Sequence, residues 1–163
     1  MILGMSVAAF TLLHVIISLV GIATGIVVVL AMMAGKRLGG WTGLFLLTTV
    51  LTSVTGFFFH STAFGPPHIV GVLSLVILAY AIPALYAKRL AGRWRAVYVV
   101  GAVVSLYLNC FVGVVQAFQK LPFFNALAPT QKEPPFLVAQ VLVLAIFVVA
   151  TVVSLRKFRP ADH

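Results

Sequence analysis

The chain has 163 residues, of which 63% are hydrophobic and 8% charged, with a mean hydropathy of +1.19. So little polar surface excludes an ordinary water-soluble domain and predicts a single membrane domain, 1–163. The formal charge of +9 would suggest nucleic acid in a soluble protein. Here the basic residues fall in short clusters between apolar runs, which points to membrane topology and anionic lipid rather than a nucleic-acid partner.

A bilayer core takes about 20 helical residues to cross, and five apolar runs meet that length, at 7–34, 41–60, 68–87, 96–118 and 136–155. The first has no Lys or Arg before Lys36, so it lacks the basic leader of a secretory signal and reads as a retained helix. Lys36 and Arg37 end it, and Gly39 and Gly40 make the turn into the second. Gly65, Pro66 and Pro67 separate the second from the third, which carries Pro83, a residue expected to bend it near its end. Lys88, Arg89, Arg93 and Arg95 precede or open the fourth. Cys110, the lone cysteine, lies inside that run and excludes an intrachain disulfide or CxxC chemistry. The segment from Lys120 to Pro135 leads to the fifth. Its Leu121, Phe123, Phe124 and Leu127 predict a stretch along the membrane interface, with a short amphipathic turn over Phe123 to Leu127, either a connector or a cover for the polar end.

Charge sidedness is pronounced. Nine basic residues (Lys36, Arg37, Lys88, Arg89, Arg93, Arg95, Arg156, Lys157, Arg159) fall on one face of such a five-helix bundle, against Lys120 and Lys132 on the other. The positive-inside rule then predicts an all-α, five-span protein with its N-terminus outside and its C-terminus cytoplasmic. Trp41 and Trp94 sit at the basic boundary, where indoles favour the interface. The motif Lys36-Arg37-Leu38-Gly39-Gly40-Trp41 is echoed by Lys88 to Trp94, 52 residues on. Either a helical hairpin has been duplicated, or basic-Gly-Trp turns recur at membrane edges.

Polar residues inside apolar runs carry the remaining information. His14, Ser18, Gly21 and Gly25 share one face of the first helix; Thr49, Ser53, Gly56 and His60 do so on the second. His68, Gly71 and Ser74 cluster on the third, Gly101, Ser105, Asn109, Gly113 and Gln116 on the fourth, and Gln140 stands on the fifth. Gly21, Gly25, Ser53, Gly56, Gly101, Ser105 and Gly113 read as close-packing positions between helices. Counting outward from the basic end at about 1.5 Å per residue puts His14, His60, His68 and Gln116 at one level, with Gln140 about a turn deeper.

Three readings suit that layer. The histidines can be interfacial packing residues. They can be haem b or metal ligands, His14, His60 and His68, with Gly56 and Gly71 leaving room for a flat ring. Or, with Asn109, Gln116 and Gln140, they can line a pocket for a quinone head group or a lipid. Catalysis finds little support, because the only acids are Glu133 and Asp162 and no paired carboxylates or Ser-His-Asp set can be assembled. The absence of charge within the spans argues against an ion-coupled carrier. The leading expectation is a non-enzymatic accessory or structural subunit of a membrane complex, in contact with the lipid bilayer and with other subunits or further copies of itself.

Through "LLHVIISLVGIATG", "WTGLFLLTTVLTSVTGFFF", "PHIVGVLSLV", "YLNCFVGVVQAF" and "LAPTQKEPPF" the chain resembles a group of small multi-spanning bacterial inner-membrane proteins. The resemblance covers most of the chain. It implies a bacterial inner-membrane location, and it carries over no activity and no residue role.

Overall fold

In hydrocarbon, a backbone satisfies its polar groups within its own segment by forming a helix, and the apolar runs fold accordingly. The structure, a computed structural model, describes residues 1–59 and 63–159. Among these residues there are six helices and no strand: α1 (Val7–Met33), α2 (Gly39–Gly56), α3 (Pro66–Tyr86), α4 (Arg93–Lys120), α5 (Pro122–Leu127) and α6 (Pro134–Lys157). His60, which ended the expected second span, lies outside the described residues, as do Asp162 and His163.

Local chemistry sets the ends. Ser6 caps α1 by accepting from the Ala9 amide at 3.2 Å. At the other end Gly35 takes φ +74°, which lets Lys36 N–H reach Ala31 O and Gly35 N–H reach Met32 O. This is a Schellman closure that a β-carbon would strain. Helices α3, α5 and α6 each begin on a proline, whose missing N–H costs nothing in a first turn. Pro83 is accommodated inside α3, which continues to Tyr86. The two echoed turns differ in backbone: Arg89 and Leu90 both have positive φ after α3, whereas after α1 only Gly35 does.

Four helices, α1, α3, α4 and α6, are long and apolar enough to cross a membrane. Helix α2 is the exception among the five expected spans. It has 18 residues, five of them threonine, and at 1.5 Å per residue it reaches about 27 Å against a core of about 30 Å. Three of its threonines turn inward to their own backbone: Thr48 donates to Leu44 O, Thr49 to Phe45 O and Thr55 to Leu51 O, each at 2.7 Å. Hydroxyls used in this way add little polar demand to a helix.

Helix α4 is the centre and contacts every other helix. The largest core cluster joins Val28 and Met32 near the end of α1, Phe45 near the start of α2, Leu78 and Leu85 on α3, Tyr98 to Leu106 on α4, and Phe158 beyond α6. Late residues of α1, α3 and α6 therefore meet early residues of α2 and α4, so these five helices alternate in direction. The nine basic residues gather beside this core, at what is termed here the basic end.

Helix α6 is pinned there. Arg95 Nη1 donates to Leu155 O at 2.9 Å and Phe158 O at 2.8 Å, while the Phe158 ring packs on Tyr98 with centroids 5.9 Å apart. A guanidinium on the last carbonyls of a helix satisfies orphan acceptors and opposes the negative end of its dipole. Elsewhere one face of α6 is half-buried on α4, through Phe136, Gln140, Val143 and Phe147, and only Ala150 and Ser154 are buried.

The segment after α4 folds back on it. Phe118, buried, meets Phe124 at 5.2 Å and Phe136 at 5.4 Å, Asn125 Nδ2 donates to Phe118 O, and Gln131 Nε2 donates to Val115 O. The expected turn from Phe123 to Leu127 is thus the helix α5, packed on the end of α4.

Candidate functional site: a polar column between α1, α2 and α4

Packing changes character along α4. Between Tyr98 and Leu108 most residues are buried, whereas each residue from Asn109 to Ala117 is half-buried. The change falls where the polar side chains collect.

The column starts at Gly21. A β-carbon there would lie 3.2 Å from Thr48 Oγ1 and 3.7 Å from Asn109 Nδ2, so α1, α2 and α4 meet at this point. Asn109 Nδ2 is buried and has no hydrogen-bond partner; the same holds for Thr52 Oγ1, one turn from Thr48, and Ser105 Oγ, one turn from Asn109. A buried donor left unmade costs about 1–3 kcal/mol, so these groups are placed to receive one.

Two turns further along α1 is His14, half-buried. Its Nδ1 lies 2.7 Å from Thr55 Oγ1, and its ring meets Phe59 edge-on at 5.2 Å. The roles in this bond depend on the histidine tautomer. With the single Thr55 hydroxyl proton on Leu51 O, 2.7 Å away, Thr55 Oγ1 accepts from His14 Nδ1–H. Neutral imidazole then carries a lone pair at Nε2, a hydrogen-bond acceptor or metal ligand. Gly56 leaves space beside the ring, as a β-carbon there would be 3.9 Å from His14 Cε1.

His68 belongs to a different environment. Its Nδ1 accepts from Gly65 N–H at 3.2 Å, closing the start of α3, and its ring stacks on Phe64 at 5.2 Å and meets Phe57 at 5.9 Å. Gln140 joins α4 through Nε2 to Phe111 O at 3.3 Å, with its Oε1 buried and unpartnered. Gln116 is half-buried on α4. Among the described residues no three His, Cys, Asp or Glu side chains gather as a metal centre. His60, the remaining candidate ligand, lies outside the described residues.

The packing residues also divide. Gly25 faces Leu106 and Phe45, where a β-carbon would come within 2.6 Å and 2.8 Å; Gly101 faces Ala81 at 2.7 Å. Gly113, whose nearest neighbour is Ile22 at 3.7 Å, and Gly56 are not close approaches. Ser53 and Ser74 hydroxyls meet at 3.1 Å between α2 and α3. The stripe from Gly101 to Gln116 is not a single interface: Gly101 faces α3 while Asn109 and Gly113 face α1. Steps of four residues on a helix of 3.6 per turn drift by about 40° each, so the two ends of such a stripe look at different neighbours.

Thr48, Thr52 and Thr55 were missed by the sequence reading, which followed Thr49, Ser53 and Gly56. The threonines form a second face one residue away, turned by about 100°, and their spacing of four and three was the available signal. Comparison with known families, with curated proteins and with solved structures finds no match.

Proposed function

We propose that the chain is a five-span protein of the bacterial inner membrane that binds an amphiphile with a carbonyl or hydroxyl ring head group, of the quinone class, between α1, α2 and α4. The observation that carries this reading is the pair of unspent polar groups between α1, α2 and α4. His14 Nε2 offers an acceptor and Asn109 Nδ2 a buried donor. Asn109 stands beside Gly21, seven residues from His14 on α1, an axial rise of about 10 Å. A reduced ring with opposed hydroxyls has that length, one hydroxyl donating to His14 Nε2 and the oxygen of the other accepting from Asn109 Nδ2. The tail would leave between helices into lipid. Apolar clefts with a few convergent polar groups are the usual form of such sites.

The membrane assignment rests on four long apolar helices, with α2 as the fifth span. Its shortfall of about 3 Å in length is within what bilayers absorb by local thinning. The charge asymmetry favours a cytoplasmic basic end, so the polar column opens on the outer side.

The test is titration of detergent-purified protein with a short-chain ubiquinol kept reduced, whose hydroxyl can donate to His14 Nε2, read by quenching of Trp41 and Trp94, together with mass spectrometry of co-purifying quinol or quinone. His14→Ala and Asn109→Leu should each weaken binding about ten-fold or more, the scale of one buried hydrogen bond. Undiminished binding in both variants would refute the site. A Soret band or stoichiometric metal lost in His14→Ala would favour the haem or metal alternative, which uses the same Nε2.

A second reading, an accessory subunit of a larger membrane complex, is favoured by α6, which buries only Ala150 and Ser154 in its own chain. Photo-cross-linking from Val141 or Ile146 in native membranes should then capture a protein partner. Lipid adducts alone would count against it.

A further inference from the structure

The two helices that meet at Gly101 and Ala81 leave a groove on the outside of the bundle. It holds about 450 Å³ and is lined by Ile77 and Tyr80 of α3 with Ala96, Val97, Val100 and Gly101 of α4. That volume is within the range of ligand-sized clefts, roughly 300–1,000 Å³. The lining is apolar apart from the Tyr80 hydroxyl, and Tyr80 is itself 61% exposed. The groove runs between the late part of α3 and the early part of α4, so the turn joining those helices, 87–92, lies toward its basic end.

That turn is charged in one sense only. It carries Lys88 and Arg89, and Arg93 follows as the first residue of α4. Arg93 precedes Ala96, Val97, Val100 and Gly101 by three, four, seven and eight residues, which puts it on the same face of α4 as the groove. Arg89 and Arg93 are exposed. Lys88 Nζ lies 5.6 Å from the Trp94 ring centroid, a cation–π contact at the interface. Arg95, by contrast, is engaged with the α6 carbonyls. Among the described residues the one carboxylate is Glu133, which is hydrogen-bonded to Thr130 and Lys132, so no described carboxylate pairs with Arg89 or Arg93.

An apolar trough ending in two exposed guanidiniums is complementary to one molecule of the bilayer. We infer that it is a site for an anionic phospholipid, with an acyl chain in the α3–α4 groove and the phosphate on Arg89 and Arg93. Guanidinium binds phosphate through paired N–H donors, and the hydrocarbon chain supplies the apolar contact the groove lacks. This site is separate from the polar column and does not depend on it.

The experiment is native mass spectrometry of the full chain released from nanodiscs of equal parts phosphatidylcholine and phosphatidylglycerol. Wild type should retain phosphatidylglycerol in preference to phosphatidylcholine. Each arginine is expected to contribute about five-fold to that preference, so the Arg89→Gln, Arg93→Gln double variant should lose it by more than ten-fold. Ala96→Phe, which fills the groove, should retain neither lipid. Lys36→Gln with Arg37→Gln removes equal charge from the other basic turn and should leave retention unchanged. Equal retention of both lipids by wild type would overturn the inference. So would equal losses from the two charge-neutralised turns, since that marks a general surface charge effect. The two arginine changes are at exposed positions and decide the matter even if Ala96→Phe fails to fold.

Discussion

Replacing Gly25 by alanine tests the packing logic of the whole bundle. The added β-carbon would lie 2.6 Å from Leu106 Cδ1 and 2.8–2.9 Å from the Phe45 ring. Leu106 is 1% exposed and Phe45 fully buried, so neither has free space to move into. Overpacking of this kind costs about 1–3 kcal/mol. Alanine in place of glycine in a helix returns about 1 kcal/mol. The net expectation is destabilisation by about 1 kcal/mol. Gly113→Ala is the matched control, because its β-carbon would be 3.7 Å from Ile22 Cδ1, an ordinary contact. It keeps the helical gain and should stabilise by up to about 1 kcal/mol. The two variants make the same chemical change in mid-helix, so propensity cancels, and a gap of about 2 kcal/mol is left to packing alone. Reversible unfolding in mixed dodecylmaltoside and SDS micelles, followed by tryptophan fluorescence, resolves a difference of that size. If Gly25→Ala is as stable as Gly113→Ala, the close approach of α1, α2 and α4 is not as described.

Other outcomes follow from single contacts. Arg95→Leu removes two charge-assisted bonds to the end of α6 and should cost about 2–3 kcal/mol, seen as faster hydrogen exchange around Leu155 with the α1–α2 pair unaffected. Phe118→Ala should cost about 3 kcal/mol and release α5, making trypsin cleavage after Lys120 faster; unchanged proteolysis would show that α5 is held by something else. Glu133, outside the helices, is held below its usual carboxyl value of 4.5, first by the Thr130 hydroxyl and then by backbone amides. A depressed folded-state pKa means that its contribution to the 130–133 turn is present above the unfolded value and is lost as pH falls through the folded one. An NMR titration of its carboxyl should therefore end below 4.5, and Thr130→Val should move the midpoint up. No movement would place the cause elsewhere.

The candidate site was half legible in the sequence. His14 and Asn109 stood out as polar residues in apolar helices, and the level His14 shares with Gln116 was a matter of counting turns. Their partners were not legible. Thr55 looked like one of many small hydroxylated residues, and only the fold puts it on His14 and thereby leaves Nε2 as an acceptor. His68, equal to His14 on sequence grounds, closes the start of its own helix instead.

Composition and charge determined by themselves that the chain forms long apolar helices, roughly where each begins and ends, and that the basic residues share one end. Those properties follow from bilayer thickness, from helix-end chemistry and from the exclusion of charge from hydrocarbon, all of which act on local sequence. Tertiary structure alone decided which face of each helix looks inward. In a soluble protein, polarity marks the outside. In lipid, a residue facing the core and one facing the acyl chains are equally apolar: Leu78 is buried and Leu73, on the same helix, is 46% exposed. With no hydrophobic difference between the two sides, close packing chooses the interface. The choice shows at Gly25 and Gly101, which are jammed against neighbours, and at Gly113, which is not.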